Sequence, residues 1–206
     1  MLLSTASDIA VKICYKLQPY CSKINIAGSI RRKKPKVGDI EIVCVPHKAP
    51  AGQVSLFGDP EGEQPVKEFC DLVQGLGTVE LGRVTGRQMK ILLPEGIKLD
   101  LFIPQEDDYY RIYAIRTGSA QYSNLVIAHA WKRKGWVGTE HGLRKKNECR
   151  EIAENKWKLV SLSSITLPPV WESEADFFEW LNVRCLDPIY REVMSESALK
   201  QHQSLK

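Results

Sequence analysis

The six cysteines (Cys14, Cys21, Cys44, Cys70, Cys149, Cys185) include no C-x-x-C pair, and no histidine stands at zinc-ligand spacing from them. Neither a zinc finger nor a disulfide framework is therefore expected, and reduced thiols suit a cytoplasmic protein. No stretch approaches the ~18 consecutive apolar residues that a membrane span needs, and the N-terminus lacks a basic region followed by a long apolar run. A soluble intracellular protein with no membrane partner is the expectation. Internal repeats are absent. Charge of one sign is scarce too: 29 Lys+Arg against 25 Asp+Glu leave a net +4, which permits a polyanionic partner without requiring one. What remains is 206 residues with 43% hydrophobic content, enough to bury a core in one domain or two small ones.

Ile9, Ile13 and Leu17 stand four apart, with Ala6 and Ala10 on a neighbouring stripe, which predicts an amphipathic helix over Thr5 to Leu17, stopped near Pro19. Ile24-Asn25-Ile26 reads as a short strand broken by Gly28-Ser29, and the β-branched run from Asp39 to Val45 as a longer one ending at Pro46. Residues 47–65 are rich in Pro, Gly, Gln and acid and read as one long loop. A helix over Val66 to Gln74 and strands over Val79 to Leu81, Gln88 to Leu93 and Lys98 to Ile103 complete a mixed sheet. Beyond it the composition turns helical, over Tyr109 to Ile115 and Ala120 to Lys134, joined at Thr117-Gly118-Ser119. Glu140 to Lys146 and Trp157 to Leu162 read as short strands, and Ser173-Glu174-Ala175-Asp176 as a helix start with a capping-box-like pattern. The fold class expected is α+β, with a first domain over 1–108 and a second subdomain over 109–206.

Asp39 and Glu41 are two apart in a strand, so both leave one face while Ile40 and Ile42 leave the other. Asp100 stands between apolar neighbours in a later strand, where a charge is costly without a partner. Three acids on adjacent strands suit Mg²⁺, a hard cation that keeps waters and takes further ligands from phosphates. Alternating acids also occur in ordinary half-exposed strands. Upstream, Gly28-Ser29 followed by Arg31 and Arg32 is a pattern that binds anions: glycine lets backbone approach closely, the hydroxyl donates, and arginine adds a charged fork.

Gly28-Ser29-Ile30-Arg31-Arg32, then Gly38-Asp39-Ile40-Glu41, then Asp100, resembles the nucleotidyltransferase signature of family X DNA polymerases. Tyr109-Tyr110 before Thr117-Gly118-Ser119, Ala128-His129-Ala130 with Lys134-Gly135, and Glu172 to Phe178 extend the resemblance over roughly residues 6–190. It implies a nucleotidyltransferase palm followed by a C-terminal nucleotide-binding, thumb-like subdomain. It implies that Asp39, Glu41 and Asp100 are catalytic and hold two Mg²⁺, Mn²⁺ being a possible substitute. Gly28, Ser29 and Arg32 would hold a nucleoside triphosphate, joined by Arg116, Thr117, Gly118, Ser123 and Asn124. The partners implied are a DNA primer/template or gapped DNA, and the reaction is addition of nucleotides to a primer 3′-hydroxyl, in DNA repair. A cis peptide between Gly118 and Ser119 is implied as well.

The match has departures. Glu41 stands where the family usually has Asp, and Ile115-Arg116 where it has an aromatic pair that judges the sugar, which implies weakened discrimination between ribo- and deoxynucleotides. Ile127 stands where a basic residue touches template. No helix-hairpin-helix glycine pattern is present, so lyase activity is not expected. A template-independent nucleotidyltransferase acting on RNA ends or small acceptors stays open beside the polymerase, as does a non-catalytic clamp-binding module.

Two surface features have a bland and a functional reading. Lys132, Arg133, Lys134, Arg144 and Lys145, with Trp131 and Trp136 between them, would track a nucleic-acid backbone and stack a base, or would be solvated positions around core tryptophans. Gln53-Val54-Ser55-Leu56-Phe57 resembles the peptide by which bacterial replication proteins bind the sliding clamp, with Gln53, Leu56 and Phe57 as its anchors, or simply pins the loop.

Overall fold

The structure, a computed structural model, describes residues 1–50, 63–161 and 165–192. The fold is mixed α and β, and the chain divides into two compact units, Met1–Thr117 and Gly118–Lys206.

The first unit opens with helix α1 (Leu3–Leu17), which buries Ala6, Ile9, Ala10, Ile13 and Leu17 along one stripe. Strand β1 (Cys21–Ile26), a single helical turn α2 (Gly28–Arg31) and strand β2 (Asp39–Pro46) follow. Strands β3 (Lys48–Pro50) and β4 (Glu63–Pro65) then pair with each other, so the stretch read as one loop has a short antiparallel ladder at its two ends. Alternating backbone pairing needs no apolar signal, which is why composition concealed it. Helix α3 (Lys67–Gln74) and strands β5 (Thr78–Gly82), β6 (Gln88–Leu92) and β7 (Lys98–Phe102) complete a five-stranded sheet ordered β1-β2-β7-β6-β5. Its central pair β2–β7 is parallel and the other pairs are antiparallel, so the sheet is mixed. One face, carrying Ile40, Ile42, Met89, Ile91, Leu99 and Leu101, packs with α1 and α3 in the main core. At the other face helix α4 (Tyr109–Thr117) covers only part of the surface, where Tyr109 joins Ala27, Val43, Val45 and Phe102 in a second cluster. Asn25 donates to the Tyr109 hydroxyl at 2.7 Å. This packing is why α4 belongs to the first unit.

In the second unit the helix expected over Ala120 to Lys134 is interrupted. Helix α5 (Ala120–Tyr122) passes into a π-helical segment (Ser123–Ala128) before α6 (His129–Arg133). Such wide turns insert a residue into the helical ladder, and the 3.6-residue periodicity of the sequence does not register them. Two hairpins follow, β8 (Trp136–Thr139) with β9 (Gly142–Lys145) and β10 (Cys149–Ala153) with β11 (Lys156–Leu159). The sequence reading had only their second strands. Helix α7 (Glu174–Leu181) starts where expected, with the Ser173 hydroxyl accepting from the Asp176 N–H at 3.1 Å. Among the described residues no helix is long and apolar enough to cross a membrane.

The expectation of a cis bond at Gly118–Ser119 is overturned: no peptide among the described residues is cis. Ser119 instead enters α5 in ordinary extended geometry, its side chain accepting from the Tyr122 N–H and its own N–H donating to the Arg191 carbonyl at 2.8 Å.

Candidate active site

The part of the sheet face that α4 leaves carries the acids. Asp39 and Glu41 leave β2 on the face opposite Ile40 and Ile42, and the parallel register sets Glu41 beside Asp100 and Asp39 beside Lys98. Register partners share a face, so all three carboxylates stand together. Asp100 is 8% exposed, and Asp39 and Glu41 are half-buried. Burial, then the neighbouring Asp39, push the Glu41 carboxyl up to about 7; Arg116 and Arg32 pull the other way and Asp100 adds to the rise.

The chain turns into this face at Gly28, whose φ is +62°. A Cβ built there would lie 2.0 Å from Glu41 Oε2, so only glycine lets the carboxylate rest against the turn. Beside it the Ser29 hydroxyl is buried without a hydrogen-bond partner, and so is Asp100 Oδ1. Arg31 and Arg32 are both anchored to the end of α4, donating to the side chain and the carbonyl of Thr117, and the Arg31 guanidinium lies 3.9 Å from the Tyr113 ring centre. Arg116 lies 4.0 Å over the Phe102 ring, and its Nε is also buried without a partner.

Gly28, Ser29, Arg32, Asp39, Glu41, Asp100, Arg116 and Thr117 thus belong to one neighbourhood of the first unit. Lys90 joins them: its ammonium pairs with Asp100 Oδ2 at 3.3 Å from the neighbouring strand β6. Sequence reasoning missed it. The alternation Gln88, Lys90 against Met89, Ile91 put it on a polar face, but only strand pairing says which acid it meets.

The remaining site residues lie in the second unit. Gly118 is packed so closely that an added Cβ would meet Ser123 Oγ at 2.7 Å; Ser123 is buried and Asn124 exposed. Lys132, Arg133 and Lys134 are exposed, Lys132 donating to Asn155 at 2.9 Å, while Arg144 donates to the Leu143 carbonyl and Lys145 lies 4.3 Å over the Trp136 ring. Trp131 and Trp136 are 7% and 6% exposed, so the two tryptophans of the basic cluster belong to the interior rather than to a stacking platform. Gln53, Leu56 and Phe57 lie outside the described residues.

Among the described residues, no three His, Cys, Asp or Glu side chains form a ready-made metal cage. Carboxylates this close repel one another until a cation joins them. The donor chemistry nonetheless suits one: an unpartnered buried carboxylate oxygen on Asp100, a second acid raised by burial and then by its neighbours, and oxygen-only donors of the kind Mg²⁺ prefers. The chain matches no family model and no curated protein.

Proposed function

We propose that the chain is a compact family X-like DNA polymerase, a metal-dependent nucleotidyltransferase that extends a primer 3′-hydroxyl. The observation that carries this reading is the juxtaposition of Asp39, Glu41 and Asp100 on one sheet face with the Gly28–Ser29 turn, where Ser29 Oγ and Asp100 Oδ1 are buried and unpartnered. Two Mg²⁺ held there would stabilise the entering and leaving oxygens of an in-line displacement. Asp39 and Glu41 would ligate both ions and Asp100 one. Ser29 Oγ and Arg32 bind and orient the triphosphate, and the Gly28 turn lets it approach the backbone. The acceptor oxygen bonds to the α-phosphorus, the bond to the bridging oxygen breaks, and pyrophosphate leaves. The hydroxyl proton passes by way of the Asp100 carboxylate to solvent.

One observation favours a second reading, template-independent transfer. Ile127, at the position where the family contacts template, is fully buried. The two readings share their chemistry and differ in acceptor.

Metal-dependent incorporation of labelled ribo- and deoxynucleotides, on primed, gapped and single-stranded DNA and RNA, tests both. Asp100→Asn should lower incorporation at least about a thousandfold, with the fold kept by circular dichroism. No incorporation by the wild-type chain on any acceptor, or near-normal activity in the variant, overturns the proposal. Incorporation that is indifferent to template decides for the second reading.

A further inference from the structure

Asp100 presents its two oxygens to different surroundings. Oδ2 is held by the Lys90 ammonium at 3.3 Å, and Oδ1 is buried and has no partner. The two residues are cross-strand partners in the antiparallel β6–β7 ladder, so backbone pairing keeps them together. Lys90 itself is 40% exposed at its side chain against 11% for Asp100. Its neighbour along the same face, Lys98, pairs instead with Glu80 at 2.9 Å and touches none of the three acids by an ion pair.

We infer that Lys90 is a metal-selectivity residue: by occupying Oδ2 it leaves Asp100 a single oxygen for a cation, and so favours Mg²⁺ over Ca²⁺. This rests on the reading of the three carboxylates as a metal site. Ca²⁺ takes six to eight oxygens at about 2.3–2.6 Å and readily accepts both oxygens of one carboxylate. Mg²⁺ demands a near-octahedral set at about 2.0–2.1 Å and takes carboxylates one oxygen at a time. A lysine clamped on the second oxygen therefore penalises the larger ion specifically. Outer partners of ligating carboxylates tune metal affinity generally.

The clamp is distinguishable from a general field effect because both ions carry the same charge. Removing any nearby positive charge strengthens Mg²⁺ and Ca²⁺ alike, whereas freeing Oδ2 strengthens Ca²⁺ preferentially. The experiment is calorimetric titration of the full chain with MgCl₂ and with CaCl₂, for wild type, Lys90→Met, Lys90→Arg and Lys98→Met. The affinity ratio, Ca²⁺ over Mg²⁺, should rise about tenfold in Lys90→Met. It should stay near the wild-type value in Lys90→Arg, which keeps a donor on Oδ2, and in Lys98→Met, which removes the same charge from the same face. Should Lys90→Met fail to fold, Lys90→Val, a good strand former without a side-chain donor, gives the same reading. A ratio within about twofold of wild type in Lys90→Met, or an equal rise in Lys98→Met, overturns the inference while leaving the metal site standing. Failure of the wild-type chain to bind either ion overturns both.

Discussion

Strands β2 and β7 carry two opposite environments, one on each face. Toward α1 and α3 their side chains are Ile40, Ile42, Leu99 and Leu101, all fully buried in a continuous apolar cluster. On the other face stand Asp39, Glu41 and Asp100, and there Asp100 Oδ1 and the nearby Ser29 Oγ are buried without a hydrogen-bond partner among the described residues. The same backbone therefore gains stability on one side and spends it on the other. Unsatisfied buried polar groups each cost about 1–3 kcal/mol, and a fold retains them where they have a use.

The contrast is sharpest for truncation on the apolar face. Leu99→Ala should destabilise the protein by about 2–5 kcal/mol in urea unfolding, because a fully buried side chain leaves a cavity. Asp100→Asn, one residue away, should change stability by less than about 1 kcal/mol, since it leaves no cavity and gives up one ion pair, to the part-exposed Lys90. A reversed order, with the aspartate variant unfolding and the leucine variant unaffected, would break the division of labour between the faces.

Proton binding offers a second test. Glu41 titrates near 7 in the folded chain against an ordinary 4.5, so below about 4.5 it is protonated in both states and costs nothing. As pH rises toward 7 the unfolded chain ionises first, the folded state holds the extra proton, and stability falls, by on the order of 3 kcal/mol once pH exceeds 7. Urea melts of wild type and Glu41→Gln at pH 4.5 and pH 8 should show the extra loss only in wild type. Added Mg²⁺, binding the folded state alone, should recover part of it at pH 8. Equal pH slopes in the two proteins would show that this face is not strained by its acids.

Smaller again is the effect expected at the turn. Gly28→Ala places a side chain at φ +62° and its Cβ at 2.0 Å from Glu41 Oε2, so the carboxylate must move toward solvent. A loss of about 1–2 kcal/mol in thermal or urea melts is expected, together with a flatter pH slope than wild type. A neutral or stabilising outcome would mean that Glu41 does not need its place against the turn.

Within its own stretches the sequence was sufficient. The 3.6-residue stripe of α1, the two-residue alternation that sends Asp39 and Glu41 to one face, and the Ser173 cap of α7 are local properties, and each appears where the residues place it. Backbone geometry alone carries those periods. What a single stretch could not contain is who stands beside whom. The partnership of Glu41 with Asp100 joins strands separated by β3, β4, α3, β5 and β6, the contacts of Arg31 and Arg32 with Thr117 join a turn and a helix still further apart in the chain, and Lys90 meets Asp100 only through the register of the β6–β7 ladder. The π-helical segment and the paired ends of the long loop were likewise invisible, because neither leaves an apolar signature. Strand register is chosen by the shared hydrophobic face, where a slip of one residue would carry Ile42, Leu99 and Leu101 out to water and the acids into the core. The acid site is thus composed in the sequence, residue by residue, but assembled only by the packing of the side of the sheet that faces away from it.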